Sequence, residues 1–330
     1  MSYRVVVLSS GQRFEIQEKE TLLDAGLRAG LNLPHNCNNG TCGGCRVRVV
    51  SGDVGHIPHD FRFSDGERDA GWVLPCRATA RSDMEIEARL LGSAADVPLQ
   101  HIGAKVSHVE VLQPDVVEIT VRTPRSQALQ FLAGQRVELR FGGLPPRELA
   151  VANCPCDGVR LRFHLRRDDA DPFSAFVFAR LRRGERVELT GPAGQFLLHD
   201  ESPRKRLFLC WESGFAAVAS LVDHAILLDP ERTMHLYWMS AIPKGHYLSN
   251  YCRAWVDSLD GFHYHSIDLA PWGEVTIEQT LRDIVRSQSD LADCDIYAAL
   301  PHGALQLGKT LFEEAGLPPS QWRGEVVPRP

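Results

Sequence analysis

The stretch "LPHNCNNGTCGGCRVRV" (33–49) decides how the first third of the chain is read. Cys37, Cys42 and Cys45 stand in the order C-x4-C-x2-C, and Cys76 follows downstream in "WVLPCRATA" (72–80). Three thiols in one loop plus a distant fourth is the plant-type spacing for a [2Fe–2S] cluster, which needs four thiolates. A loop that wraps a cluster must bend sharply and aim backbone amides at sulfur, which suits Gly40, Gly43 and Gly44. A zinc site built on Cys42 and Cys45 is the competing reading. Structural zinc usually pairs one C-x2-C with another, or with histidines, whereas here a lone cysteine stands on each side.

Outward from that loop, residues 1–92 combine alternating runs ("YRVVVL", "RFEIQ", "CRVRVV", "MEIEARL") with one helical piece, "TLLDAGLRAG", a small α+β unit. "LGSAADVPLQ" (91–100) reads as a linker. From 101 to 202 the period-2 runs "AKVSHVEVL", "DVVEITVR", "QRVELRF", "VRLRFHLR" and "ERVELTG" predict an antiparallel β-barrel. From 203 to 330 strand and helix patterns alternate, predicting βαβ units and a mostly parallel sheet. The first strand of that sheet runs into "CWESGFAAV" (210–218), the strand–loop–helix junction at which such folds hold a nucleotide pyrophosphate.

A chain of 330 residues has room for these three units. Its net charge of −6 argues against a nucleic-acid partner. No run approaches the ~18 apolar residues of a membrane span, and nothing resembles a signal peptide, so a cytoplasmic protein is expected. Nine cysteines, an odd number in a long chain, do not suggest a disulfide framework. Cys154, Cys156, Cys210, Cys252 and Cys294 are expected to be small core residues. His263 and His265 share one strand face, but no third metal ligand is evident. The arginine clusters "HLRRDD" (164–169) and "RLRRGER" (180–186) read as solvated faces.

In the order iron–sulfur unit, barrel, α/β unit, the chain resembles the oxygenase reductases of the ferredoxin–NADP reductase superfamily. The resemblance implies a β-grasp ferredoxin domain (1–92), an FAD-binding-type barrel (101–202) and an NAD(P)-binding-type α/β domain (203–330). It implies cluster ligation by Cys37, Cys42, Cys45 and Cys76. Family members carry electrons from NAD(P)H through FAD and the cluster to an oxygenase.

Two of the family's motifs are altered. Its R-x-Y-S/T strand is "RELAVAN" (147–153): Arg147 remains, Leu149 replaces the tyrosine that stacks on the flavin, and Ala150 replaces the hydroxyl residue. Ser174 matches a pyrophosphate-contacting serine, and the C-terminal aromatic that shields the flavin falls near Val327. The nucleotide loop carries Trp211 and Glu212 in place of two glycines and Ala217 in place of a proline. Leu300 falls within the later C-G-P-P motif and Met239 at a further glycine position, so both are expected to crowd the nicotinamide pocket. NAD(P)H binding is therefore not expected, and FAD binding is left open, resting on Arg147 and Ser174. The expected role is electron transfer from a separate donor to a redox partner such as an oxygenase. A working NAD(P)H- and FAD-dependent reductase and a redox-sensing or assembly subunit are the alternatives.

Overall fold

The computed structural model describes residues 2–35, 37–242, 245–269 and 276–327. Three sheets follow one another along the chain, and the elements are β1 (Ser2–Val7), β2 (Arg13–Gln17), α1 (Leu22–Arg28), β3 (Val47–Ser51), β4 (Val54–His56), α2 (Asp65–Asp69), β5 (Trp72–Val73), β6 (Ala78–Ala80) and β7 (Met84–Glu87) in the first part. The first sheet has the order β2-β1-β7-β3-β5. Its hairpin β1–β2 is antiparallel, and β1 pairs with β7 in parallel. Helix α1 starts where Thr21 accepts a hydrogen bond from the Asp24 N–H. Leu22, Leu23 and Ala25 on α1 and Val5, Val7, Phe14 and Ile16 on β1 and β2 share one core. A helix packed on a mixed sheet of this order is the β-grasp arrangement.

The second sheet contains β8 (Gln100–Gln113), β9 (Val116–Arg122), β10 (Arg136–Arg140), β11 (Arg147–Ala150), β12 (Arg160–Arg166) and β13 (Arg186–Ala193), with α3 (Pro172–Ala179) between β12 and β13. Its order, β11-β10-β13-β8-β9-β12, is antiparallel throughout. The two edges meet again: the Ala152 N–H, just past β11, donates to the Arg162 carbonyl of β12 at 2.8 Å. The result is a nearly closed barrel around a core that includes Val121, Val137, Leu161 and Phe163.

The third sheet contains β14 (Lys205–Trp211), β15 (Met234–Ser240), β16 (Phe262–Asp268), β17 (Cys294–Leu300) and β18 (Trp322–Val326), joined by α4 (Phe215–Leu228), α5 (Ser249–Ser258), α6 (Ile277–Ser287) and α7 (His302–Glu314). It is wholly parallel, in the order β16-β15-β14-β17-β18. Strand order reverses between β14 and β17, and folds of this kind bind ligands at the carboxyl ends of the strands flanking such a switch. The loop after β14 and the turn after β17 lie there. Helices α4 and α5 cover one face with Phe215, Val218, Cys252 and Trp255. Helices α6 and α7 cover the other with Leu281, Ile284, Leu305 and Phe312.

The segment 91–100 is more ordered than a linker. A short capped turn spans Ala94–Asp96, and Leu91 and Val97 bury themselves against Leu132 of the barrel.

Candidate functional site: a cysteine loop and an altered nucleotide cleft

The cysteine loop lies between α1 and β3. The Leu23 N–H donates to the Pro75 carbonyl at 3.1 Å, which places α1 beside the turn between β5 and β6 that carries Cys76. The buried His35 ring meets the Leu33 carbonyl at 2.9 Å. Cys37, Cys45 and Cys76 are buried, while Cys42 is exposed. The sulfurs of Cys45 and Cys76 stand 3.4 Å apart. The Cys42 N–H donates to the Cys37 sulfur at 3.4 Å, and the Gly44 N–H to the Cys42 sulfur at 3.4 Å.

Two of the three glycines are there for space and conformation. Gly40 (φ +87°) and Gly43 (φ +70°) adopt left-handed backbone. A Cβ on Gly40 would come within 2.3 Å of the His59 side chain, and one on Gly43 within 2.3 Å of the Phe61 ring. Gly44 instead contributes its amide to sulfur.

The loop also prepares thiolates. Burial by itself raises the Cys37 thiol, but the amides of Asn39 and Cys42 outweigh it, with help from the Cys42 and Thr41 side chains, and bring it down to about 6. Contact with Cys76 lowers Cys45, and the same contact raises Cys76. The four sulfurs fall into two pairs, Cys37 with Cys42 and Cys45 with Cys76. A two-iron cluster asks for two thiolates at each iron, so the donor set fits it.

The second region is a cavity of about 570 Å³ between the barrel and the α/β sheet. Leu149, Ala150 and Arg147 of β11, Arg136 of β10, His164 to Arg166 of β12 and Arg167 just past it face Ser213, Gly214 and Ala217 across it, and Val327 closes one side. Only the second half of "HLRRDD" is a solvated face: Arg167, Asp168 and Asp169 are exposed, whereas His164 and Leu165 are buried and the Arg166 side chain is only 8% exposed. The strand carries these residues inward because β12 lines the cleft.

Every arginine lining the cavity already faces a carboxylate. Arg136 meets Glu325 at 2.6 Å and Glu148 at 3.5 Å. Arg147 meets Asp171 at 3.5 Å. Arg166 pairs with Asp115 and lies 3.7 Å from Glu212, and Arg167 meets Asp169 at 2.7 Å. Asp171 does double duty as the N-cap of α3, accepting the Phe173 N–H at 3.1 Å. Ser174 is fully buried, with its hydroxyl accepting the Asp168 N–H at 2.9 Å, and it does not line the cavity.

The loop after β14 keeps the backbone of a glycine turn without the glycine. Glu212 has φ +43°, is 1% exposed, and its carbonyl accepts from the Trp238 indole N–H at 3.1 Å. Burial pushes its carboxyl up, against the pull of Arg166. Gly214 survives because a Cβ there would stand 2.8 Å from the Ala299 carbonyl and 2.8 Å from Val327. Trp211 is half-buried against the core under α6 and α7. Leu300 and Met239 are both fully buried in that same core. They do not line the cavity, so the expectation that they crowd it is corrected: at the end of an inner strand their side chains turn beneath the helices.

Sequence reading missed Asp171, Glu325 and the buried His164, whose ring meets Tyr247 at 3.1 Å and Glu118 at 3.3 Å. For Asp171 a signal was available, since Asp before Pro is a helix-start signature. Glu325 sits on β18, a strand the periodicity did not reveal.

Ferredoxin-type sheet, flavin-type barrel and nucleotide-type sheet in one chain make up the multidomain ferredoxin-reductase fold. Residues 5–81 match the family described as 2Fe-2S iron-sulfur cluster binding domain. The chain is 31% identical to the phenol hydroxylase P5 protein of Acinetobacter pittii, over 72% of this chain and 68% of that one. It is 27% identical to the CDP-6-deoxy-L-threo-D-glycero-4-hexulose-3-dehydrase reductase of Yersinia pestis, over 96% of each. The ferredoxin reductase in carbazole 1,9a-dioxygenase shares the fold, with a TM-score of 0.59 and 22% identity over 99% of this chain and 98% of that one. The chain belongs to the oxygenase-reductase type of the ferredoxin–NADP reductase superfamily, with an N-terminal [2Fe–2S] ferredoxin domain. Among the described residues no helix is long and apolar enough to cross a membrane.

Proposed function

We propose that the chain is a [2Fe–2S] electron-transfer component that takes electrons from a separate donor and passes them to a protein partner such as an oxygenase, with no internal route from NAD(P)H. The cluster, when bound, supplies one-electron transfer. Cys37, Cys42, Cys45 and Cys76 would hold it, with the amides of Cys42 and Gly44 directed at sulfur. Cys42, the exposed member, marks the side from which a partner reaches the site.

The observation that carries the second half of the proposal is the charge state of the cleft. A dinucleotide's pyrophosphate needs free cations and an open helix N-terminus. The side chain of Asp171 takes both Arg147 and the start of α3. Glu212 puts a buried carboxylate into the turn where the nicotinamide nucleotide's phosphates would lie. The residues present do not fit these phosphates.

One observation favours the working-reductase reading. Arg166 Nε and Nη2 and Arg136 Nε are buried without hydrogen-bond partners, and they stand at a cavity roomy enough for a ring system. Flavin, iron and sulfide analysis of the purified protein, with nucleotide titration, separates the two. The proposal expects two irons, two sulfides and no stoichiometric flavin, with dissociation constants for NADH and NADPH weaker than ~1 mM, or ~−4 kcal/mol. Stoichiometric FAD with micromolar nucleotide binding would establish the working reductase.

A further inference from the structure

The cysteines that stand apart from the cluster set are not alike. Cys210, Cys252 and Cys294 are fully buried. Cys154 and Cys156 instead flank Pro155 in a tight turn just past β11, where the Asp157 N–H donates to the Cys154 carbonyl at 3.3 Å. A β-turn folds its first and fourth residues to within about 7 Å, and the two cysteines are the first and third of this one. Disulfides usually bridge Cα atoms about 4.4–6.8 Å apart. Cys154 is buried, whereas Cys156 is partly exposed, and both line a cavity of about 430 Å³. Cys156 is thus not the core residue expected.

The pair is asymmetric in a way that orders its chemistry. The Cys156 N–H donates to the Cys154 sulfur at 3.2 Å, so the Cys154 side chain folds over its neighbour. Contact with Cys154 lowers the Cys156 thiol, against burial and the carboxylates of Asp223 and Asp157. The same contact, together with burial, raises Cys154. The accessible sulfur is therefore also the readier thiolate, and thiolate is the attacking form. Behind Cys154 stands the buried His224, its Nδ1 4.0 Å from the Cys154 sulfur. Asp200 Oδ2, 3.5 Å from His224 Nε2, holds the imidazole proton on that nitrogen and leaves Nδ1 to accept.

We propose that Cys154 and Cys156 form a reversible disulfide, a thiol–disulfide exchange site separate from the cluster cysteines, with Cys156 as the attacking thiol and Cys154 as the resolving one. The oxidant is a small disulfide such as oxidised glutathione. The Cys156 thiolate attacks one of its sulfurs, the S–S bond breaks, and the first half leaves as a thiol with the proton that Cys156 gave up. Cys154 passes its proton to His224 Nδ1, attacks the Cys156 sulfur and expels the second half, which takes that proton. Two cysteine thiols are oxidised to one disulfide, and the small disulfide is reduced to two thiols.

The test treats the cluster-loaded full chain with oxidised glutathione, blocks the remaining thiols with N-ethylmaleimide in denaturant, and reads tryptic peptides by mass spectrometry. Cleavage after Arg147 and Arg160 releases residues 148–160, which contain Cys154 and Cys156 and no other cysteine. That peptide should be lighter by two hydrogens and unblocked, and dithiothreitol should reverse the change. It should form at least tenfold faster than any modification of Cys210, Cys252 or Cys294, with iron content unchanged. Cys154→Ser should stop at a mixed disulfide carrying one glutathione on Cys156, and Cys156→Ser should leave Cys154 reduced. A wild-type peptide whose two thiols both remain blockable, or which keeps a glutathione that never resolves, would overturn the site. Loss of iron in step with the disulfide would contradict its separation from the cluster, and equal glutathione uptake by the two variants would contradict the order of attack.

Discussion

The cysteine loop and the loop after β14 pose the same backbone problem and solve it differently. Both need left-handed conformations next to a crowded neighbour. In the first, Gly40 and Gly43 hold those conformations where a Cβ would collide at 2.3 Å, and the amides they position point at sulfur. In the second, Glu212 holds φ +43° with a full side chain, and that side chain is buried beside Arg166. The geometry of a nucleotide loop persists while its chemistry is changed, because the turn now holds a carboxylate buried beside Arg166 where a glycine would leave only backbone. Backbone shape and binding chemistry are therefore separable, and the resemblance of a fold does not carry the function of each site within it.

The largest expected effect is on the side where shape and chemistry agree. Replacing any one of Cys37, Cys42, Cys45 or Cys76 with serine should remove most of the bound iron and the visible absorption, as measured by iron and sulfide analysis. Retention of full iron by any of the four variants would break the ligand assignment.

On the other side, the block should be removable. Asp171→Ser keeps a capping side chain on α3 but takes the carboxylate away from Arg147. FAD affinity should rise at least tenfold, about 1.4 kcal/mol, read by fluorescence quenching on titration. An unchanged affinity would mean that Asp171 does not stand in for the phosphate.

A further effect is on stability. Glu212→Gly releases a non-glycine residue from left-handed backbone, worth about 1–3 kcal/mol, and should raise the urea midpoint. Glu212→Gln isolates the charge. Because the folded-state carboxyl is raised, the folded protein holds a proton that the unfolded chain has lost. The group therefore costs stability as pH rises above the usual glutamate range, and the cost persists at neutral pH. The advantage of Glu212→Gln over wild type should accordingly grow from acid toward neutral pH. A pH-independent difference would place the cost in the backbone alone.

Much of this was legible in the sequence. The cysteine spacing pointed to the cluster directly, since a thiolate set is a local pattern. The barrel strands and the βαβ alternation were visible as periodicities, and the first helix as the piece "TLLDAGLRAG". What escaped were features made by distant pairing. Whether Arg147 is free depends on Asp171, and whether Arg136 is free depends on Glu325, partners that only the folded chain brings within reach. Leu300 and Met239 were assigned to the pocket by position in a motif, but at the end of an inner strand the alternate face belongs to the core.

The central claim is that electrons do not enter through a pyridine nucleotide, and anaerobic stopped-flow reduction of the cluster-loaded full chain tests it most directly. With dithionite or a reduced donor protein the visible absorption should bleach. With NADH or NADPH, in the presence of added FAD, it should stay unchanged over the same time. Bleaching within seconds by nucleotide and FAD together would show that the cleft is a working flavin and nucleotide site, and would contradict the account.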